Sequence, residues 1–297
     1  MDVTPQNIEL IGAGLRSEFQ GVFDGVDPLF ERIATIVPST SSGENYAWLR
    51  DMPGIREWIG DRQINRLADT GYRIENKMFE GTIGVKRTDI EDDKLGHYTT
   101  MARQLADKAA KDPDKRIFDL IPLGWSSQCF DGQNFFDAEH PVGPDGKEES
   151  VSNMQAGTDA AWYLLDTSAP LRPFIYQRRT PVEFTAMNDA ATSEAGFMRD
   201  EYIYGTRHRG NAGFGFWQLA FGSKAPLTAA NVKAAREAME SFKDHSGEVL
   251  GVQPGVLLVD PSNRSKGEEL MNADKLGTDY NTLKGAFDLI VAPRLAA

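Results

Sequence analysis

The chain has 297 residues, 40% of them hydrophobic and 26% charged, which is typical of a globular protein with a substantial core. No run approaches the ~20 consecutive apolar residues of a membrane helix, and residues 1–5 lack the features of an export signal. The net charge of −12, without a dense basic block, argues against a nucleic-acid-binding protein. The single cysteine, Cys129, excludes an intrachain disulfide and is consistent with a reducing cytoplasm.

The first 92 residues predict an arm followed by a long hairpin. Apolar residues recur every three or four positions between Asn7 and Phe23, which indicates an amphipathic helix in an arm over 1–45. Residues 72–78 alternate apolar and polar side chains, as a half-buried strand does, and residues 56–64 are its expected partner. Asp-Thr-Gly at 69–71 would form the reversal. An isolated hairpin is marginal in water, so a surface of the same chain or of a neighbour must cover it.

A broken helical rod is predicted over 94–123. An apolar stripe runs from Leu95 to Ala109, and Asp112 is expected to cap a second segment that has Pro113 at its first position. The acidic run 89–93 precedes the rod, where negative charge favours the positive end of the helix dipole. The alternative for this run is a salt-bridge patch between subunits, opposite a basic stretch such as 207–209.

After a loop-rich region over 126–160, the sequence predicts strands and then an α/β segment. The expected strands are at 162–165, 174–177, 182–186 and 213–220. In the C-terminal part, over 225–297, Thr228 is expected to cap a helix, residues 255–260 to form a buried strand, Pro261 to open a helix that reaches Met271, and residues 287–291 to form a last strand. We expect this part to pack as its own unit.

No motif in the sequence predicts catalysis or a cofactor. None of the four histidines, at positions 97, 140, 208 and 245, lies in a known nucleophile motif. Cys129, Asp131, Asp137 and His140 share one segment, but their spacing matches neither zinc nor calcium motifs. A structured loop is therefore expected, with no metal. The glycine-rich stretch 210–217 lacks a phosphate-loop pattern and indicates a strand that another backbone approaches closely.

Several segments together resemble the Mu-like prophage major head subunit T family. The resemblance extends in order along essentially the whole chain, and only Asp-Pro-Ser-Asn at 260–263 is less apolar than in similar proteins. The segments that carry it are Tyr-Ala-Trp-Leu (46–49), Arg-Glu-Trp-Ile-Gly (56–60), Asn-Lys-Met-Phe-Glu-Gly-Thr (76–82), the acidic run 89–93, residues 129–142, Trp-Tyr-Leu-Leu-Asp (162–166), Tyr-Gly (204–205), Gly-Phe-Gly-Phe-Trp-Gln (213–218), Leu-Thr-Ala-Ala-Asn (227–231) and Leu-Leu-Val (257–259).

The resemblance implies an α+β chain with the Hong-Kong-97-type capsid fold. Its parts would be an N-terminal arm (1–45), an extended hairpin loop (46–92), a peripheral domain (93–224) with a spine helix over 94–123 and the loop 126–160, and an axial α/β domain (225–297). The implied function is that of a major capsid protein, without enzymatic activity, which assembles through hexamers and pentamers into an icosahedral shell around double-stranded DNA. Scaffold, portal and head-decoration proteins are the implied partners, along with DNA bound non-specifically at the inner face. Assembly is expected in the host cytoplasm.

In such a shell, the arm and hairpin would reach over neighbouring subunits, so their apolar faces would be covered only after assembly. The expected interface residues are Trp58, Ile64, Tyr72, Ile74, Met78, Asp92, Asp93, Arg207 and Arg209. The acidic charge could repel packaged phosphate or simply maintain solubility. The alternatives are a tail-tube or scaffold protein, although the aromatic strands argue against a scaffold, and a hydrolase with an unfamiliar site.

Overall fold

A computed structural model of the chain describes residues 2–49, 71–143, 147–188, 198–244 and 247–296. The helices are α1 (Pro5–Phe23), α2 (Arg87–Glu91), α3 (Leu95–Ala110), α4 (Asp112–Leu120), α5 (Ala229–Glu240) and α6 (Arg264–Asn272). None of the helices in this described part has both the length and the apolar content to span a bilayer.

The strands of the described residues form two larger sheets and three small pairs. They are β1 (Ala34–Pro38), β2 (Gly43–Asn45), β3 (Arg73–Glu75), β4 (Lys77–Lys86), β5 (His140–Val142), β6 (Glu149–Val151), β7 (Met154–Gln155), β8 (Trp162–Leu165), β9 (Phe174–Met187), β10 (Glu201–Phe214), β11 (Ala220–Ser223), β12 (Val256–Val259), β13 (Lys275–Leu276), β14 (Asp279–Tyr280) and β15 (Asp288–Val291). The first sheet has the order β1-β9-β10-β4 and the second has the order β15-β12-β8-β11-β7.

The first sheet is covered on one face by α1 and α3. Burial alternates along β10, so Tyr202 and Tyr204 point toward the helices while Ile203 between them faces outward. The inward residues pack with Ile8 and Leu15 of α1 in one apolar cluster. Farther along the helix, the Phe19 ring lies 5.0 Å from that of Phe184 on β9. This packing corrects the expectation that the arm is covered only by a neighbour, because the apolar face of α1 is buried on its own chain.

The second sheet contains the most completely buried strands. All four residues of β8 and all four of β12 are buried, as expected of uninterrupted apolar runs in the centre of a sheet. β12 pairs antiparallel with β8 and parallel with β15. The prediction that 225–297 packs as its own unit is therefore wrong: its strands complete a sheet that also contains β7, β8 and β11.

The described part of the expected hairpin pairs with distant strands. β3 pairs with β2, and β4 pairs along its full length with β10. The expected first strand, 56–64, and most of the reversal at 69–71 lie outside the described residues. β4 is an edge strand among the described strands, so its pairing with β10 connects the hairpin region to the rest of the first sheet.

Several local predictions are confirmed, and others need correction. The helix in the arm, the rod formed by α3 and α4, the strand β8 and the helix capped by Thr228 are all present. The strands expected at 174–177 and 182–186 are one continuous strand, β9. The strand expected at 213–220 is interrupted, because β10 ends at Phe214 and a 3-10 turn precedes β11. Asp112 is the first residue of α4 and Lys111 occupies the cap position.

Candidate assembly surface

Two of the expected interface residues pack against other parts of their own chain. Ile74 is only 4% exposed, and its side chain occupies the space above Gly213 that a side chain at 213 would need. The hydroxyl of Tyr72 accepts a hydrogen bond of 2.6 Å from the backbone N–H of Phe214, and burial raises the pKa of Tyr72. The expectation that only assembly covers Ile74 is therefore wrong, and Tyr72 is already half-buried against its own chain. Trp58 and Ile64 lie outside the described residues.

Met78, in contrast, is an exposed apolar side chain on the first sheet. It is 64% exposed and lies on β4 directly opposite Arg209 of β10. Met187 of β9, which is 55% exposed, lies opposite Ile203. Alternation along each strand places these residues on the face away from α1 and α3. We call this the outer sheet face; its central residues are Met78, Glu80, Thr82, Glu183, Thr185, Met187, Ile203, Gly205, Arg207 and Arg209.

The charged residues of the outer sheet face neutralise one another locally. Arg207 lies opposite Glu80 on β4 and Glu183 on β9, and its Nε is 3.7 Å from a carboxylate oxygen of Glu183. Both members of this pair are about half exposed. Such exposed pairs contribute about 0–1 kcal/mol, so Arg207 can exchange its partner for one on another subunit at little cost.

The expected acidic patch is at the end of α2. Asp92 bonds Lys94 at 2.8 Å, and this contact lowers the pKa of Asp92. Asp93 has a φ of 56° in the tight turn between α2 and α3. Asp92 therefore has a partner in its own chain, although the pair is exposed and open to exchange. Of the basic stretch proposed to face this patch, only Arg207 and Arg209 lie on the outer sheet face.

The remaining residue of that stretch, His208, is buried and belongs to a hydrogen-bonded cluster between β10 and α4 that the sequence did not lead us to expect. Its Nε2 lies 3.0 Å from Asp112, which also receives a 2.7 Å bond from Arg116 one turn farther along α4. The guanidinium of Arg116 lies 3.8 Å from the centre of the Phe79 ring on β4. Burial by itself raises the pKa of Asp112, but the hydrogen bonds and charges of His208 and Arg116 outweigh it and hold this pKa at about 2. In the sequence, the four-residue spacing of Asp112 and Arg116 was the feature that could have indicated this ion pair.

The loop after α4 forms more side-chain contacts than its sequence pattern indicated. Phe135 and Phe136 anchor it in the core, as expected, and Gly132 forms its turn with a φ of 88°. The loop also brings Cys129, Asp131 and His140 together: the Cys129 Sγ donates to Asp131 at 3.1 Å, and His140 Nδ1 lies 2.6 Å from the other carboxylate oxygen. Asp137 is not part of this cluster; its carboxylate accepts from the Asn134 side chain.

The glycine-rich stretch behaves as a close-packed segment, as expected. Gly215 donates its N–H to the carbonyl of Pro173 at 2.8 Å, and a side chain at 215 would collide with the carbonyls of Arg172 and Pro173. Gly213 is approached by the Ile74 side chain instead.

Comparison with known proteins connects this architecture to phage heads. The family model for the Mu-like prophage major head subunit gpT matches residues 8–295. The chain is 37% identical to the major capsid protein of Escherichia phage Mu, in an alignment covering 99% of this chain and 100% of that protein. It is 38% identical to the Mu-like prophage FluMu major head subunit of Haemophilus influenzae, covering 94% of this chain and 92% of that protein.

Solved structures extend the similarity to the fold. A chain of the procapsid of bacteriophage JBD30 has a TM-score of 0.87 and 40% identity, with 98% of this chain and 100% of that chain covered. A chain of the bacteriophage JBD30 capsid has a TM-score of 0.76 and 29% identity, with 90% of each chain covered. The expected α+β fold of the Hong-Kong-97 type is thereby confirmed. The chain belongs to the Mu-like prophage major head subunit gpT family.

Proposed function

We propose that this head subunit has a purely structural role, in which it forms hexamers and pentamers that close into the icosahedral shell of a Mu-like tailed phage or prophage. The observation that carries the proposal is similarity over the whole chain, in sequence to the Mu capsid protein and in fold to a JBD30 procapsid subunit. Its relatives are structural capsid proteins, and the chain is likewise a structural protein and not an enzyme.

The outer sheet face is the contact surface that we propose for the described residues. Met78 and Met187 present flexible apolar side chains there, and such side chains adapt well to a partner surface. Full burial of one of them would contribute on the order of 1–3 kcal/mol. Obligate interfaces bury roughly 2,000 Å² or more, so Met78 would be one of many contacts, as would the exchangeable charges of Asp92, Asp93, Arg207 and Arg209.

The test compares Met78→Asp with Met78→Leu. Because Met78 is exposed in the single chain, neither substitution should change the unfolding transition of the free subunit by more than about 0.5 kcal/mol. We expect Met78→Leu to form shells, seen by negative-stain electron microscopy, and Met78→Asp to remain as folded, unassembled subunits. Shells of Met78→Asp at the wild-type yield would refute the interface role of this residue. Tyr72 is unsuitable for this test, because its substitution would also damage the core.

The same microscopy tests the shell function itself. The wild-type chain, overexpressed in bacteria, should give closed shells or rings of six and five subunits. Rods would contradict a capsid role and favour a tail tube. A chain that stays monomeric at high concentration, even with its scaffold protein, would also contradict the proposal.

The division of the chain into arm, extended loop, peripheral domain and axial domain also remains a proposal. The long strands of the first sheet and the rod of α3 and α4 support a peripheral domain with a spine. The second sheet supports an axial domain that is not limited to 225–297, because it combines β7, β8 and β11 with β12 and β15, while β9 and β10 belong to the first sheet.

We propose scaffold, portal and head-decoration proteins as partners, packaged DNA as a non-specific neighbour at the inner face, and the host cytoplasm as the place of assembly. A JBD30 capsid with similar subunits is decorated with minor capsid protein trimers, which supports a decoration partner. The net charge of −12 supports a wall that repels the packaged phosphates. Co-purification of shells with each candidate partner from infected cells would test these assignments.

A further inference from the structure

We propose that Cys129, Asp131 and His140 bind one thiophilic divalent cation of the zinc class, which connects the loop after α4 to the start of strand β5. Their ligand atoms are a thiol sulfur, a carboxylate oxygen and an imidazole nitrogen, and all lie within 4.8 Å of one another. The Cys129 and His140 side chains are almost completely buried. Sulfur, nitrogen and oxygen in this combination are the donor set that Zn²⁺ prefers.

The orientation of the His140 ring is fixed by Asn153. The Asn153 amide nitrogen donates to the carbonyls of Phe135 and Ala220, at 2.8 and 3.2 Å. The Asn153 amide oxygen accepts the backbone N–H of Asp137 at 2.9 Å and lies 3.2 Å from His140 Nε2. Because this oxygen can only accept, Nε2 carries a hydrogen. The other ring nitrogen, Nδ1, is the one directed at Asp131 and is therefore the metal-binding atom.

This arrangement matches how proteins hold metal-binding histidines, in which the remote ring nitrogen donates to a carbonyl or carboxylate oxygen. The ring of Trp217 stacks on His140 at 3.9 Å with an interplanar angle of 11°, so the imidazole plane is fixed as well. The Asp131 carboxylate is held by the backbone N–H of Gln133 at 3.0 Å. The ligand atoms are thus preorganised by groups that do not themselves bind the cation.

Binding of the cation releases the thiol proton of Cys129. That proton now bonds to Asp131 and leaves to the solvent when the sulfur forms its bond to the metal, while His140 Nδ1 binds the metal as an unprotonated nitrogen. Asp131 then binds the metal through an oxygen in place of accepting the thiol hydrogen bond. Asp131 also lines a cavity of about 390 Å³, from which water can reach the fourth position of a tetrahedral site.

The test is a titration of the purified, chelator-treated full chain with Co²⁺ in reducing buffer. Tetrahedral cobalt bound to sulfur shows visible bands and a near-ultraviolet charge-transfer band from the thiolate. Cys129 is the only thiol of the chain, so that band identifies its sulfur without any substitution. We expect one Co²⁺ per chain, displacement by Zn²⁺, and a higher unfolding temperature with either metal.

Two variants then test whether the cobalt is bound at this cluster or elsewhere on the chain. Cys129→Ser should lose the charge-transfer band and bind cobalt at least tenfold more weakly. Asp137→Asn, in the same loop but outside the cluster, should bind as the wild type does. A wild-type chain without a thiolate band at stoichiometric cobalt would overturn the proposal and leave the cluster a hydrogen-bonded network. So would equal binding by Cys129→Ser. These results are independent of whether the chain forms shells.

Discussion

Replacement of Asp112 by asparagine should weaken the contact between α4 and the first sheet. Asp112 begins α4, and its carboxylate bonds His208 of β10 and Arg116 of α4. Asparagine keeps the size of the side chain but removes the negative charge. Arg116, which also lies over the Phe79 ring, and His208 would then share one neutral acceptor oxygen in place of two charged ones, because the second oxygen becomes a donating NH2 group.

The magnitude follows from the pKa of Asp112. Its side chain is only 15% exposed, and a pKa of about 2 in place of 3.8 corresponds to about 2 kcal/mol of folded-state stabilisation. Because the folded-state pKa is depressed, the unfolded chain binds the carboxyl proton more readily. The stabilisation is therefore present in full above the ordinary pKa and is lost as the pH falls from about 4 to about 2.

The assay is urea unfolding of the unassembled subunit between pH 7 and pH 2. We expect the Asp112→Asn variant to be about 2–3 kcal/mol less stable than the wild type at pH 7, and this difference should shrink toward zero near pH 2. The matched control is Asp107→Asn. Asp107 bonds Lys111 in an exposed pair on α3, so its loss should cost less than about 1 kcal/mol. A difference between Asp112→Asn and wild type that does not change with pH would refute the electrostatic explanation.

Three further substitutions test the packing. Gly157→Ala should destabilise the subunit by about 1–3 kcal/mol in urea, because the new methyl group would collide with the Lys224 carbonyl on a backbone that cannot easily shift; wild-type stability would show that the backbone does shift. Thr228→Ala should cost about 1 kcal/mol through loss of the α5 cap, and an unchanged unfolding midpoint would contradict the cap's contribution. Phe19→Ala should cost about 3–5 kcal/mol and expose α1 to limited proteolysis, since its contact with Phe184 holds the helix on the sheet; an α1 as resistant as in the wild type would refute this.

The exposure of the expected interface residues could not be predicted from a short sequence pattern. Ile74 and Met78 lie four residues apart, so alternation would place them on the same face, yet Met78 is exposed and Ile74 is buried. The difference arises because Ile74 fills the space left by Gly213, which is distant in sequence. His208, part of an expected basic surface, turns inward because alternation along β10 places it on the face opposite to Arg207 and Arg209.

Many of the local elements, and the family, could be predicted from the sequence. Helical spacing in α1 and the apolar runs of β8 and β12 depend on side chains within about ten residues of one another, so they can be read directly. Three features became visible only in the tertiary structure: β4 pairs with β10, α1 packs against the first sheet of its own chain, and a cysteine, an aspartate and a histidine lie together in one loop. These contacts form between segments that are distant in the sequence. The free energy that stabilises them comes from the packing of the whole core, against the entropy lost when the chain brings the segments together.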